Sequence, residues 1–354
     1  MLRLGIIGAG GIASLHTHNI LSGKCPEVQL TAMADRKESR REWIRATVPD
    51  AAVFCEGSDL IASDTCDAVL IATPHYQHPT LAIEAFRHGK HVLCEKPMAL
   101  NTAQAEEMEK AAKESGKLLM IGFVRRFGND CAILKDFIDN GYFGDIYYAK
   151  ATYLRRNGNP GGWFGDKARS GGGPLIDLGV HVIDLTRYLM GKPKPVSVYG
   201  ATFHKLGDRR NIKSERGYVS ATEEKGGPIF NVEDLASAMI RYDNGAVLQV
   251  EASFSLNMEK DTGTIELFGD KGGLRLDPEL TYFGEMDGYM TNVTLAAKTA
   301  LSFDGLFANE INHFVHCVQT GEPCRNPAED GVEMMKILDA VYESAATGHE
   351  VILK

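Results

Sequence analysis

Three side chains in this sequence have types and spacing suited to hydride and proton chemistry. Asp177 and His181 lie four residues apart after a run of glycines, a spacing that places both on one face of a helix. Histidine is the side chain whose ordinary pKa lies close to neutrality and that most often transfers protons in catalysis. Lys96, in Glu95-Lys96-Pro97, can stabilise negative charge that develops on an oxygen. These residue types indicate oxidation of an alcohol coupled to hydride transfer.

Each of the three residues also has a structural interpretation. His181 could be a hydrogen-bonded core histidine, Asp177 a first-turn acid that favours the helix dipole, and Lys96 a surface lysine beside a turn. An Asp177–His181 pair would also suit a metal ion, but the sequence shows no further cluster of ligands, so we expect no metal. The seven cysteines are scattered without a C-x-x-C pair, which is typical of reduced thiols in the cytoplasm rather than of disulfides or zinc.

A glycine-rich motif near the first residue predicts a dinucleotide site. Residues 8–13, Gly8-Ala9-Gly10-Gly11-Ile12-Ala13, fit G-x-G-x-x-A, in which glycines allow a tight turn and close approach of a pyrophosphate to a helix N-terminus. Asp35, at the end of the next apolar run, is placed to accept hydrogen bonds from ribose hydroxyls. Its charge would repel a 2′-phosphate, which favours NAD, whereas Arg36 and Arg40 could offset that phosphate and leave NADP as the alternative.

The elements that must position these residues are short apolar runs alternating with helical patterns. Gly8, Asp35, Thr73 and Lys96 all stand at the ends of such runs. This alternation predicts a doubly wound parallel sheet of the Rossmann type, whose ligand loops lie at the carboxyl ends of the strands. The apolar runs are residues 2–7, 28–34, 68–72, 91–94 and 118–122, with helical patterns at 79–88 and 102–115.

The pattern changes after about residue 123, so we expect two domains, 1–123 and 124–354. Longer strand patterns separated by turn residues predict a mostly antiparallel sheet in the second domain, with a helix over 174–190. Two final helical patterns, 307–319 and 330–347, either pack on that sheet or return to the first domain. The strand patterns are 146–154, 196–203, 236–242, 246–254 and 263–268.

Several motifs together give the chain a family resemblance. The chain resembles the Gfo/Idh/MocA family, named for glucose–fructose oxidoreductase and inositol dehydrogenase. One departure is His75. The family often has asparagine at this position, where a polar contact near the nicotinamide is expected. The resemblance is carried by the glycine motif, the run Ala72-Thr73-Pro74-His75-Tyr76-Gln77-His78, the block from Gly89 through Glu95-Lys96-Pro97 to Leu100, and Gly172-Gly173 through Asp177 to His181.

The resemblance implies a Rossmann domain followed by an α/β domain built on an open, mostly antiparallel sheet. It implies that Lys96, Asp177 and His181 form the catalytic group, and that the chain forms a homodimer or homotetramer through the open sheet. It also implies cofactor contacts from Gly10, Gly11, Ile12, Asp35, Thr73, Pro74, His78, Glu95 and Lys96.

The function that the sequence favours is hydride transfer between NAD, or NADP, and a C–OH or C=O group of a sugar, inositol or related polyol. His181 would take the hydroxyl proton and Lys96 would stabilise the oxygen, while Asp177 would hold the substrate or orient the local hydrogen bonds. The alternatives are a glycosidase that uses NAD for transient oxidation and a dinucleotide-binding regulator without catalysis.

Composition argues against other classes of partner. A net charge of -9 without a basic stripe is unlike a nucleic-acid binder, and no apolar run reaches membrane-spanning length. We therefore expect a cytoplasmic enzyme that acts on a small molecule. Four further residues have open roles: Arg125 and Arg126 either contact substrate or stabilise the domain junction, and Trp163 and Arg169 lie in a glycine-rich loop that either covers the substrate or is passive surface.

Overall fold

The computed structural model describes residues 1–209, 212–213, 229–276, 279–296 and 305–353. These residues pack as two compact units, of which the first contains residues 1–124 and 305–335 and the second contains the rest of the described chain. Within the described ranges, every helix falls short of the length or the apolar character that a bilayer crossing requires.

The first unit is built on six parallel strands in the order β3-β2-β1-β4-β5-β6. The middle strand β4 is buried along its whole length, as expected for a parallel sheet with helices on both faces. The order reverses between β1 and β4, which makes that point of the carboxyl edge the expected ligand crevice. The strands are β1 (Leu2–Ile7), β2 (Val28–Ala34), β3 (Ala52–Phe54), β4 (Ala68–Ile71), β5 (His91–Glu95) and β6 (Leu119–Gly122).

Helices cover this sheet, and one of them comes from the far end of the chain. The segment that returns is held by specific bonds: Asn312 donates to the carbonyl of Lys24 at 2.9 Å, and buried Asn326 donates to the carbonyls of Ile121 and Phe123. The helices of this unit are α1 (Gly11–Leu21), α2 (Glu38–Thr47), α3 (Gly57–Ala62), α4 (His78–Arg87), α5 (Thr102–Ser115) and, from the returning segment, α9 (Leu306–Thr320).

The second unit is built on a nine-stranded sheet in the order β14-β13-β12-β11-β7-β10-β9-β8-β15. Only the β10–β7 pair is parallel among the strand pairs of the described chain in this sheet, so the sheet is mostly antiparallel. Its strands are β7 (Ile146–Leu154), β8 (Pro195–Phe203), β9 (Leu235–Tyr242), β10 (Val247–Ser253), β11 (Thr262–Gly269), β12 (Gly273–Leu276), β13 (Thr281–Met286), β14 (Tyr289–Thr294) and β15 (Val351–Ile352).

One face of this sheet is covered by helix and the other is largely open. Helix α8 (Val180–Leu189) packs against β7 and β11, and alternate residues such as Ile240 are buried on that side. On the other side Tyr199 and Met239, which are paired across β8 and β9, are each more than half exposed. The remaining helices are α6 (Asn129–Asp139), α7 (Lys167–Ser170) and α10 (Ala328–Thr347), which begins in the first unit and ends in the second.

This architecture confirms the predicted fold class. The structure adds strands that the sequence patterns did not predict, namely β3, β12, β13, β14 and β15, all of which are short or lie towards a sheet edge. It also divides the predicted helix over 174–190 into a π-helical turn, Leu175–Gly179, and the α-helix α8.

Candidate active site

The glycine motif forms an open cradle at the start of α1. Gly8 has φ of +91°, and a Cβ there would lie 2.5 Å from the carbonyl oxygen of Ala72, so only glycine fits. A Cβ on Gly10 or Gly11 would meet no atom within 4 Å, which leaves space over the helix start. Because α1 begins at Gly11 without a side-chain cap or a first-turn acid, its first N–H groups are available to an anion. Half-buried Ile12 follows in the same turn.

Asp35 follows β2 and is held rigidly by the backbone. Its Oδ2 accepts from the Ala9 N–H and its Oδ1 accepts from the Lys37 N–H, both at 2.8 Å. Each carboxylate oxygen keeps a second lone-pair position, which suits the hydroxyl donors of a ribose. Neighbouring Arg36 is exposed and donates to Glu56 at 2.7 Å, and that carboxylate raises the pKa of Arg36.

The residues after β4 form a compact polar turn. The buried Oγ1 of Thr73 has no hydrogen-bond partner among the described residues, which fits a site that receives a polar ligand group. His78 is fully buried, and its Nδ1 and Nε2 lie 2.9 Å from the carbonyl oxygens of Pro97 and Thr73. Burial lowers the pKa of His78, although those two oxygens oppose the change. Pro74 is half-buried and His75 is buried, with its ring 5.7 Å from that of His78.

Lys96 directly follows β5 and is next to Glu95, whose carboxylate lies within hydrogen-bond distance of a histidine. Glu95 is the last residue of that strand, and its Oε1 lies 3.0 Å from Nε2 of His16. Lys96 is half-buried and is joined to Pro97 by a cis peptide bond. Gly8, Asp35, Thr73 and Lys96 therefore follow four strands that are neighbours in the sheet, β1, β2, β4 and β5, at its carboxyl edge.

The second unit supplies Asp177 and His181 on one continuous helical segment. Asp177 lies in the π-helical turn and is only 7% exposed, while His181 is half-buried in the first turn of α8. Turns of π-helix within α-helices are frequent at functional sites because they shift side chains out of the regular helical register.

Two residues that the sequence did not single out anchor the start of this segment. Glu233, 2% exposed, accepts from the N–H groups of Gly173 and Leu175 and from the hydroxyl of Tyr342. Burial and the Glu233 charge raise the pKa of Tyr342 well above its usual range. A Cβ on Gly172 would lie 1.9 Å from the Tyr342 hydroxyl oxygen, which explains why glycine precedes the helix. No local motif marks Glu233, because its partners lie about sixty residues or more away.

Arg125 and Arg126, whose roles the sequence left open, both lie near acidic side chains. Arg126 makes two hydrogen bonds to Asp184 of α8, at 2.9 and 2.6 Å, and both side chains are almost fully buried. This pair gives Arg126 a role in holding α8. Arg125 lies 3.4 Å from Asp130. In the glycine-rich loop, Trp163 stacks on Phe164 with ring centroids 3.9 Å apart, and Arg169 lies in the four-residue helix α7.

Among the residues that the structure describes, two groups of side chains in the first unit could hold a metal ion, and the sequence pattern identified neither. One is His313, Cys317 and Cys324, in which the Cys317 sulfur is 3.4 Å from Nε2 of His313 and that nitrogen accepts from the Arg325 N–H. The other is His16, Glu95 and Glu310. Glu310 does have a sequence signal, because it is an acid within the apolar face of α9.

Two family models match successive parts of the chain. Residues 2–123 match the model of the oxidoreductase family, NAD-binding Rossmann fold, and residues 135–353 match the model of the same family's C-terminal alpha/beta domain. D-glucoside 3-dehydrogenase of Escherichia coli is 33% identical over 357 residues, covering 99% of this chain and 97% of that protein. Myo-inositol 2-dehydrogenase of Thermotoga maritima is 27% identical and covers 93% and 92%.

A solved structure shares the fold. Levoglucosan dehydrogenase in complex with NADH superposes with a TM-score of 0.86 at 24% identity, covering 100% of this chain and 99% of that one. The comparisons confirm the predicted family and the predicted NAD cofactor, and the open cradle at Gly10 and Gly11 fits a dinucleotide. The chain belongs to the Gfo/Idh/MocA family of oxidoreductases and carries that family's NAD-binding Rossmann domain.

Proposed function

We propose that this protein is an NAD-dependent dehydrogenase that oxidises a hydroxyl-bearing carbon of a sugar, inositol or related polyol, and reduces the ketone in reverse. The observation that carries the proposal is the carboxyl edge of the parallel sheet, where the glycine cradle, Asp35, Thr73 and Lys96 follow adjacent strands. The substrate class is supported by relatives named for a glucoside, an inositol and levoglucosan.

The cofactor contacts that we propose divide by the group they would hold. Gly8, Gly10, Gly11 and Ile12 would surround the pyrophosphate, and Asp35 would bind the adenosine ribose. Thr73, Pro74, His75, Glu95 and Lys96 would lie towards the nicotinamide end. His78 would act through the Thr73 and Pro97 carbonyls that it contacts. The bound dinucleotide would supply the hydride acceptor.

The proposed roles of Lys96, Asp177 and His181 follow from their chemistry. His181 accepts the hydroxyl proton during oxidation and returns it during reduction. The Lys96 ammonium stabilises the partial negative charge on the same oxygen. Asp177 accepts a hydrogen bond that orients the substrate. The Glu233 and Arg126 contacts anchor the helical segment that carries Asp177 and His181.

The preference for NAD rests on the fixed carboxylate of Asp35. A 2′-phosphate would meet this negative charge, and Arg36, which could offset it, is paired with Glu56. We also propose, from exposed Tyr199 and Met239 on the open sheet face, that copies of the chain associate there as a homodimer or homotetramer. The cytoplasmic location stays a prediction.

A substrate panel tests the proposal directly. We expect NADH absorbance to appear when the protein is mixed with NAD and D-glucosides, inositols or related polyols, with a weaker response to NADP. Release of free NADH in proportion to ketone would distinguish a dehydrogenase from a glycosidase that oxidises transiently and then reduces again. Cleavage of a glycoside without NADH release, or binding of NADH without turnover of any compound in the panel, would contradict the proposal.

A further inference from the structure

A histidine and two cysteines meet at the end of α9. We call His313, Cys317 and Cys324 the sulfur cluster. His313 and Cys317 are four residues apart on α9, a spacing that places both on one face of the helix, and Cys324 lies in the loop that follows. One nitrogen or sulfur atom of each residue lies within 4.8 Å of the others. All three residues belong to the first unit.

The distances within the sulfur cluster fit a tetrahedral metal ion. Sγ of Cys317 is 3.4 Å from Nε2 of His313. Zinc binds a thiolate sulfur at about 2.3 Å and an imidazole nitrogen at about 2.0–2.1 Å, so two such ligands at a tetrahedral angle are roughly 3.5 Å apart. Two sulfurs on the same ion are roughly 3.8 Å apart, which the 4.8 Å limit of the cluster allows. Small side-chain movements would therefore let the three residues surround one ion.

The loop that carries Cys324 is fixed on both sides of this residue. Before it, Oε2 of Glu322 lies 2.9 Å from Nε2 of His316, back on α9. After it, the side chain of Asn326 donates to the Ile121 carbonyl at 3.1 Å, and the Ile121 N–H donates to the Asn326 carbonyl at 3.0 Å. These contacts keep the loop beside the helix, so binding an ion would cost little further conformational entropy.

The ring nitrogen that faces the Cys317 sulfur has a lone pair to offer. Nε2 of His313 accepts from the Arg325 N–H at 2.9 Å, so it carries no proton, and neutral imidazole is the form that ligates metals. An ion would take the place of this N–H. Arg325 is exposed, so water can accept from its N–H instead. The loss of one such hydrogen bond is small beside the gain of three metal–ligand bonds.

The ligand types and their exposure favour zinc. Cys317 is only 4% exposed, but His313 and Cys324 are half-buried, so an ion can enter from solvent and water can fill a fourth position. Two thiolates would balance the charge of a divalent ion. Sulfur and imidazole ligands suit Zn²⁺, whereas Mg²⁺ and Ca²⁺ prefer oxygen.

We propose that His313, Cys317 and Cys324 form a binding site for one zinc ion, with water as the fourth ligand. The ion clamps the loop after α9 to the helix and, through Asn326, strengthens the attachment of the returning segment to β6. The cysteine pattern did not predict this site, because six residues separate the two cysteines rather than the two of a C-x-x-C pair. The proposal does not depend on the proposed dehydrogenase function.

The first test uses Co²⁺ as a coloured substitute for zinc. The probe is added to the full chain after reduction of its thiols and removal of metal with a chelator. We expect one Co²⁺ per chain, with the visible bands of a tetrahedral ion and the near-ultraviolet charge-transfer band of thiolate ligands, and an equivalent of Zn²⁺ should abolish both. Absence of the charge-transfer band, or the spectrum of a six-coordinate ion, would overturn the proposal.

The second test removes one ligand at a time. Cys324→Ser takes away a half-buried thiolate, and His313→Gln takes away the ring nitrogen. We expect the affinity for Zn²⁺ to fall by at least about 100-fold in each, since loss of an outer partner of a metal ligand alone costs about 10–100-fold. Cys55→Ser, an exposed cysteine of the first unit outside the cluster, is the matched control and should bind Zn²⁺ within about twofold of the parent. Parental affinity in Cys324→Ser or in His313→Gln would contradict the assigned ligands.

The third test measures whether the ion stabilises the fold. Excess Zn²⁺ should raise the melting temperature of the parent and of Cys55→Ser over that in chelator, because a ligand that binds only the folded state stabilises it. Cys324→Ser should show little or no rise. An equal rise in Cys324→Ser and the parent would show that zinc acts elsewhere on the protein, and would overturn the proposal.

Discussion

The carboxylate of Asp35 is held in place by two backbone N–H groups. Substitution of this single residue therefore tests how the protein chooses between NAD and NADP. Asp35→Asn removes the charge and keeps one acceptor oxygen. We expect the ratio of kcat/KM for NAD to that for NADP to fall by about tenfold or more, because relief of a like-charge contact with a 2′-phosphate is worth at least about 1.4 kcal/mol.

The control for Asp35 is Asp139→Asn, which neutralises an exposed acid on α6 of the second unit. It changes the net charge of the protein by the same amount, so we expect no change in the NAD to NADP ratio. The measurement is initial rate against cofactor concentration for each dinucleotide. An Asp35→Asn ratio equal to that of the parent would show that this carboxylate does not select against NADP.

At the scale of elements, α8 depends on a buried ion pair. Arg126 and Asp184 are both almost fully buried, and Arg126→Met leaves the Asp184 carboxylate without its partner. We expect the free energy of unfolding to fall by about 3–5 kcal/mol, since breaking one side of a buried pair leaves an uncompensated charge. Denaturant unfolding would measure the loss.

The exposed pair Arg3–Asp67 offers the matched comparison. Both side chains are more than 40% exposed, and Arg3 lowers the pKa of Asp67. Arg3→Met should cost no more than about 1 kcal/mol, because water screens surface pairs. Equal losses in Arg3→Met and Arg126→Met would contradict the anchoring role that we assign to Arg126.

The elements differ in how far the sequence could predict them. Strands β1, β2 and β7 begin and end at the predicted residues, because apolar runs that stop at glycine, aspartate or turn residues specify buried strands locally. Strand β3 has three half-buried residues, and β14 is largely exposed, so neither has a marked hydrophobic pattern. The π-helical turn at Asp177 leaves no periodic pattern in the sequence, because packing against β10, rather than the local spacing of residues, stabilises it.

The candidate site could also be predicted from the sequence only in part. Asp35 and Lys96 could be found because the ends of strands converge in a Rossmann sheet. Glu233 and Asp184 could not, since each is bonded to a residue more than fifty positions away and carries no motif of its own. Long-range polar pairing is decided by tertiary packing rather than by local pattern.

At the scale of the whole molecule, the open face of the second unit predicts association. Met239 is 51% exposed on β9 beside Tyr199, and Met239→Glu would place a charge in the proposed contact. We expect this variant to shift the molar mass in solution, measured by light scattering, towards the monomer. Met290→Glu on β14, which is 86% exposed at the far end of the sheet, is the control and should not change the mass. An unchanged mass for Met239→Glu would place any association elsewhere.

The central claim is that His181 takes the hydroxyl proton as the hydride leaves the same carbon. The most direct measurement is the rate of NADH formation in a single turnover, with enzyme in excess over the best substrate of the panel, in the parent and in His181→Ala. We expect the rate to fall by about 10²–10⁴-fold while the Kd for NADH stays within about twofold. An unchanged single-turnover rate in His181→Ala would contradict the account.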